Sequence, residues 1–356
     1  MAYSTISKPG LHFNTKLYTG NGTAIASGGQ AITGVGFQPD WVWIKARSIQ
    51  DSHQLYDTAR GATKGLRADT YDPEATNAEF LTSFNTDGFT VGNNSKVNQN
   101  SATYVSWNWK VNAATEASNS NGSITSTVQV NTTAGLSLVK YVGNATSGAT
   151  VGHGLGAAPD AIILKNRDTN GAQWTVYHQG MGNTKGMQLD TTATPGTNAA
   201  YWNNTSPTST VFTLGSGGDP NGNGANIIAY CFKSIKGYSK FGTYVGNGNA
   251  DGTFIYTGFK PAWIMGKTYT HAGNWFMWDN KRPNEFNLVN SFLEADGDVV
   301  EYTNNAAHSI DILSNGFKFR GASGSNSSGR TAIYFAFAEE PLVANVGANG
   351  IPATAR

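Results

Sequence analysis

The chain has 356 residues with 24 Lys or Arg against 23 Asp or Glu, a formal net charge of +1, which gives no electrostatic footing for a nucleic-acid partner or an anionic membrane surface. Only 13% of residues are charged while 43 are glycine and 12% aromatic, a composition of turn-rich β-structure around an aromatic core rather than of disorder. One cysteine, Cys231, excludes an intrachain disulfide framework, and no stretch approaches the roughly eighteen apolar residues of a membrane helix.

Residues 1–16, with Lys8-Pro9-Gly10 and Phe13, read as an N-terminal arm, either a frayed terminus, which is the commoner case, or an assembly arm that orders on docking. Met1–Thr5 carries neither the basic nor the apolar region of a signal peptide. From Leu17 short apolar runs alternate with Gly, Asn and Asp. Tyr18-Thr19-Gly20-Asn21 reads as a strand end, with Gly-Asn supplying positive φ and the Tyr anchoring the turn. Gly36-Phe37-Gln38-Pro39 then opens a strand over Trp41–Lys45, with Pro39 at its mouth, where no ladder donor is lost. Asn77–Leu81 has some helical flavour, and Thr86-Asp87-Gly88 is a turn feeding Phe89-Thr90-Val91. In Tyr104–Lys110 a period of two puts Val105, Trp107 and Trp109 on one face.

Residues 113–127 are Ser/Asn/Ala/Thr-rich and read as a linker. The landmarks then recur in the same order. The second copy has Tyr141-Val142-Gly143-Asn144, Gly156 to Pro159 and its run to Lys165, Tyr177-His178, Val211–Leu214 and Ile228–Lys233. The third has Tyr244-Val245-Gly246-Asn247, Gly258 to Pro261 and its run to Lys267, Trp278-Asp279, Gly316–Phe319 and Ile333–Ala338. The spacing, roughly a hundred residues, is that of a copied domain and not of a solenoid unit. The predicted architecture is all-β: three tandem antiparallel β-sandwich domains, jelly-roll-like in class, over 17–112, 128–236 and 237–342, each with its own core. The short join at Lys236–Lys240 packs the last two together, and residues 343–356 form an irregular tail.

The six histidines are scattered, and no Walker loop, dinucleotide fingerprint or nucleophile elbow occurs. Asp57 with Arg60 and Asp279 with Arg282 correspond, while the second copy has His178 and Met181 there. A pair present in two copies of three reads as a turn or a structural ion pair rather than a catalytic dyad. Asp219-Pro220-Asn221-Gly222-Asn223-Gly224 matches the opening of a calcium loop, but Tyr230 stands where the bidentate Glu belongs. Asp219, Asn221 and Asn223 thus make a weak metal candidate beside a better reading as a Gly/Asn hairpin, and no cofactor is expected. Exposed Trp with Asn is the usual platform for a sugar ring. Trp202 with Asn203 and Asn204, and Trp275 with Trp278, are the candidates; packing inside the domains is the competing reading, favoured for Trp275 because Trp174 matches it.

Residues 36–47 (GFQPDWVWIKAR), 55–66 (LYDTARGATKGL), 120–144, 148–168, 202–215, 258–267 and 311–320 (DILSNGFKFR) together resemble a family of repeated domains in proteins of tailed, largely marine bacteriophages. Members of that family are described as tail-fibre or virion structural proteins or as domains of unknown function. The resemblance implies a non-enzymatic virion component, fibre-like, with no catalytic residues to carry over. It further implies a homo-oligomer, expected as a trimer, contacts with other virion proteins, and adhesion to host-surface glycans. Capsid decoration, a carbohydrate-binding module and a glycan depolymerase are the alternatives. The last needs a carboxylate pair about 5–9.5 Å apart, and no pair recurs in all three copies.

Overall fold

In the computed structural model, which describes residues 4–112, 114, 116–282, 287–346 and 349–352, the densest apolar runs become strands buried along their whole length. These are Trp41–Ala46, Ala161–Asn166 and Phe259–Thr268. A strand covered on one face alternates apolar and polar residues; one covered on both reads as a continuous apolar run.

Each of these strands holds the third place in a four-strand antiparallel order that the three large sheets share. In the first repeat the order is Phe13–Thr19, Thr103–Trp109, Trp41–Ala46, Gln54–Asp57. In the second it is Leu136–Val142, Asn226–Phe232, Ala161–Asn166, Thr175–His178. In the third it is Ser239–Val245, Thr331–Pro341, Phe259–Thr268, Phe276–Asp279. We call the four the entry, closing, proline and middle strands. A smaller sheet backs each large one: Gln30–Thr33, Gly88–Val91 and Leu81–Asn85; then Thr150–Gly152 and Val211–Thr213; then Phe254–Tyr256, Gly316–Phe319 and Ile310–Leu313. The fold is all-β, antiparallel and sandwich-like, as the sequence predicts.

Alternation along the proline strands then separates two kinds of core. Val42 and Ile44, Ile162 and Leu164, and Ile264 point into private cores between the two sheets of their own repeat. Trp41 and Trp43, Ala161 and Ile163, and Trp263 and Met265 point the other way, into one cluster shared by all three repeats. Val105, Trp107 and Trp109 join it from the predicted face. The expectation of one core per repeat therefore covers half of the packing. Each large sheet also needs the other two, since an isolated first repeat would expose four indoles, at roughly 1.5–3 kcal/mol for each large side chain.

Three boundaries differ from the sequence reading. Residues 4–16 are not a free arm: Thr5 N donates to Lys236 O at 2.9 Å, Ile6 and Phe13 lie in the shared core, and the entry strand already begins at Phe13, paired with Trp109. Phe13 stacks on Phe337 at 5.4 Å, so removing residues 1–16 would open the core, contrary to a detachable leader. The linker is in part sheet, because Ala117–Asn119 pairs with Ser126–Asn131, which pairs with the second entry strand. Residues 77–81 are not helical; Asn77 Oδ1 takes Glu79 N at 2.8 Å in a turn that runs into the strand Leu81–Asn85. Among the described residues the α-helices are single turns at Ser95–Asn98, Ala199–Trp202 and Gly218–Asn221. In the tail, Val343–Val346 pairs with Asn349–Pro352. Parts of the predicted arm (1–3) and tail (347–348, 353–356) lie outside the described residues.

Candidate functional site

The repeated Tyr-x-Gly-Asn motif is a clasp. Its tyrosine hydroxyls donate to Val97 O at 2.8 Å, Pro220 O at 2.7 Å and Ser325 O at 3.0 Å. The residue after each of those carbonyls is a fully buried asparagine, Asn98, Asn221 or Asn326. Its Oδ1 accepts from the backbone N–H of Asn21 at 2.8 Å, Asn144 at 2.9 Å and Asn247 at 3.2 Å. Its Nδ2 returns a bond to Thr23 O at 3.5 Å, Thr146 O at 3.0 Å and Asn249 O at 2.9 Å. The motif's glycine is required by close approach: a Cβ on Gly20, Gly143 or Gly246 would lie 2.3, 2.3 or 2.4 Å from a backbone oxygen. This corrects the expected cause, since positive φ falls one residue beyond the motif, at Gly22 (67°), Ala145 (54°) and Gly248 (65°). The weak calcium candidate is corrected with it. Asn221 is committed to the clasp, Asp219 Oδ1 takes Gln173 N at 3.0 Å, and Asn223 is an exposed turn residue.

Register shows which residues correspond at the repeat junctions. Trp43 pairs with Trp107, Ile163 with Tyr230 and Met265 with Phe335; Trp41 pairs with Asp57, Ala161 with His178 and Trp263 with Asp279. Each closing-strand aromatic meets the middle strand of a neighbouring repeat. Tyr230 donates its hydroxyl to Asp57 Oδ2 at 2.7 Å, and Trp107 donates Nε1 to Asp279 Oδ2 at 3.0 Å. Phe335, with nothing to donate, packs edge-on against His178 at 5.5 Å. Contacts from second to first, first to third and third to second close a ring around the shared core.

A second set of bonds repeats that ring. His53, Trp174 and Trp275 each stand one residue before the middle strand. Trp174 Nε1 donates to Arg67 O at 2.7 Å and Trp275 Nε1 to Gln188 O at 2.9 Å. His53 Nδ1 accepts from Trp43 Nε1 at 2.8 Å, so its proton sits on Nε2, 2.9 Å from Glu294 O. Burial holds this imidazole well below its ordinary pKa, and so neutral.

The two Asp/Arg motifs are buried ion pairs, as predicted: Arg60 Nε–Asp57 at 2.6 Å and Arg282 Nε–Asp279 at 2.5 Å, with all four side chains inaccessible. Arg60 continues to Glu74 at 3.0 Å, which binds Arg167 of the second repeat at 2.8 Å. Arg282 continues to Glu301 at 2.9 Å, which binds Arg47 of the first repeat at 2.8 Å. At the third junction Tyr269 replaces the outer arginine and Lys185 lies over its ring, 5.4 Å from the centre. Such carboxylates are bound from several sides and hold geometry.

The predicted sugar platforms are overturned. All nine tryptophans are at most 2% exposed. Trp202 packs edge-on against Tyr177 at 5.6 Å, Trp275 holds a junction, and Trp278 donates Nε1 to His308 O at 2.9 Å. Asn203 and Asn204 adopt left-handed φ of 48° and 51° at the end of the helix Ala199–Trp202, and Asn203 accepts from Ser147 Oγ at 2.9 Å.

Accessible aromatics lie elsewhere: Tyr71 on the first repeat, and on the third Tyr302 and a pair that shares one strand. Phe254 is 43% and Tyr256 52% exposed. They edge a cavity of about 350 Å³ between the entry strand and the small sheet. Through Lys240 and Tyr256 this continues into one of about 660 Å³ at the junction with the second repeat, lined also by Asp160, Gln179 and Lys233. Lys240 Nζ donates to Tyr256 O at 2.7 Å and lies 5.2 Å from the centre of that ring; partial burial lowers its pKa. Sequence reasoning missed this groove because it looked for tryptophan. The available signal was a position-by-position comparison of the three copies.

A family model described as a domain of unknown function (DUF7483) matches residues 8–341, a span that takes in all three repeats. No curated protein and no solved structure matches the chain.

Proposed function

We propose a role for this chain, which belongs to the DUF7483 family of unknown function, as a non-enzymatic structural component of a tailed-bacteriophage virion, fibre-like in placement and adhesive toward the host surface. The observation that carries it is the closed ring: three sandwiches share one aromatic core and are cross-tied at every junction. Rigid all-β bodies that display Asn-, Ser- and Gly-rich loops suit a particle surface, where the scaffold must not move and the loops make the contacts. The family resemblance of the repeated motifs supplies the setting, the virion and its other proteins as partners. Self-association remains in the proposal as contact between complete three-repeat rings. It is not needed to order residues 4–16, which pack against their own chain. No helix among the described residues is long and apolar enough to cross a membrane.

The test is immunogold labelling of purified virions with antibody to the chain. Label on tails or fibres is the expected result. Label on the capsid would move the protein to head decoration, and virions without label would overturn the reading.

A further inference from the structure

The three repeats serve as controls for one another. A residue the sandwich needs recurs in every copy, as the clasp asparagines do, whereas a surface residue found in one copy alone has another cause. Ile255 pairs with Phe317, Ile32 with Phe89 and Val151 with Phe212, so these three correspond. Phe254 therefore stands where the other copies have Ala31 and Thr150, and Tyr256 where they have Thr33 and Gly152. Counting back from the motif tyrosines, Lys240 stands where they have Asn14 and Ser137. In the third repeat alone, three small or polar positions have become two exposed aromatics and a lysine, and all three line the same groove.

We propose that this groove binds an acidic saccharide chain, with sugar rings against Tyr256 and Phe254 and a carboxylate drawn to Lys240. Alternate residues of a strand face the same side, about 7 Å apart, so the two rings form consecutive platforms along one line. The apolar face of a sugar packs on such rings while its hydroxyls seek polar edges, and Gln179, Thr243 and Thr253 supply those edges. Charge decides between a saccharide and an apolar peptide. Lys233 is neutralised by Asp160 at 2.9 Å, but the hydrogen bond of Lys240 is to a neutral carbonyl. Covering that cation with an apolar segment would desolvate it without a counter-charge, and a uronate-type carboxylate supplies one. The ligand class rests on the adhesive role proposed above; the location rests on the comparison of copies.

The test is calorimetric titration of the full chain with oligomers of polygalacturonate and of alginate, and with fully methyl-esterified polygalacturonate, which keeps the rings and loses the charge. The variants carry residues of the sister repeats, Tyr256→Thr, Phe254→Ala and Lys240→Asn, and an unchanged Tm verifies their fold. The wild type is expected to bind a uronate oligomer, each aromatic substitution to weaken binding about tenfold, and Lys240→Asn to erase the preference for acid over ester. Absence of binding to both uronates, equal binding of acid and ester, or undiminished binding by the triple variant would overturn the inference. A chain found on virions that binds neither uronate sinks this inference alone. One that binds but is missing from virions sinks the virion role and leaves the groove.

Discussion

Tyr230→Phe probes the ring where one atom carries the tie. The tyrosine is fully buried, and its ring stacks on Trp41 at 4.6 Å, packing that phenylalanine retains. What is lost is the 2.7 Å bond from its hydroxyl to Asp57 Oδ2. Burial keeps this phenol far above its ordinary pKa, so it stays a donor. A hydrogen bond to a charged acceptor contributes about 1.5–3 kcal/mol. Asp57 keeps Arg60 Nε at 2.6 Å and Arg60 N at 2.8 Å, so the carboxylate is not orphaned and the lower end, about 1.5 kcal/mol, is expected. Asp57→Asn does more harm, because Arg60 loses its nearest counter-charge in a site without water access. Breaking a buried pair costs about 3–5 kcal/mol, held to about 3 here by Glu74, which still binds Arg60. In the double variant the first loss is already contained in the second. Urea unfolding followed by the fluorescence of the buried tryptophans should therefore give a coupling energy of about 1–1.5 kcal/mol. Additivity within about 0.3 kcal/mol, or a neutral Tyr230→Phe, would refute a junction held by this bond.

Further outcomes follow from the other layers. Trp41→Ala and Trp263→Ala should each cost about 3–5 kcal/mol and lower a single melting transition, since both indoles lie in the shared core; a melt that splits and leaves two repeats intact would contradict a common core. Asn221→Ala should cost roughly 2–4 kcal/mol by stranding the buried partners of the clasp, with or without calcium, and chelator should leave the wild-type Tm unchanged; a chelator-induced drop would revive the metal loop. Burial pushes the Asp296 carboxyl up to about 7, and its Oδ2 is buried without a hydrogen-bond partner among the described residues. A folded pKa above the unfolded one means that the folded state holds the extra proton, so this contribution is present at low pH and lost as pH rises through about 7. The stability advantage of Asp296→Asn over wild type should then grow by about 1.4 kcal/mol between pH 6 and pH 8, measured by denaturant titration; a difference independent of pH would refute it.

The fold was legible where local pattern and burial agree. A strand such as Trp41–Ala46 announces two covered faces by its unbroken apolar run, and three copies of one landmark order announce three sandwiches. The period of two in Tyr104–Lys110 even chose the right face for Trp107 and Trp109. What covers that face is a long-range fact. Nothing local in Trp107 says that its Nε1 meets Asp279, a residue of another repeat. The cause of the clasp is non-local for a similar reason: Gly20 looks like a turn glycine, whereas the oxygen that excludes its Cβ belongs to Gln99. The sugar platform fails because the tryptophans of this chain build its core and leave none at the surface. Phe254 and Tyr256 carry no motif, and they stand out only against Ala31 and Thr33 once strand register aligns the copies.

Joining three sandwiches in one chain also frees them from identity. A ring of three separate copies repeats every junction and every groove three times, because a symmetric interface uses the same surface on each subunit. Here each junction has its own chemistry at one corresponding place: tyrosine on aspartate, tryptophan on aspartate, phenylalanine on histidine. The pairs are matched within themselves, since a donor faces each carboxylate and the ring without a donor faces the imidazole. Exchanging partners between junctions would leave a buried carboxylate facing a phenyl ring, so the pairs also favour one cyclic order of the repeats over its reverse. The same freedom allows one repeat to change its surface while the other two keep theirs. Lys240, Phe254 and Tyr256 could change together because none of them enters the shared core, and the residues at their positions in the sister copies show that the sandwich stands without them.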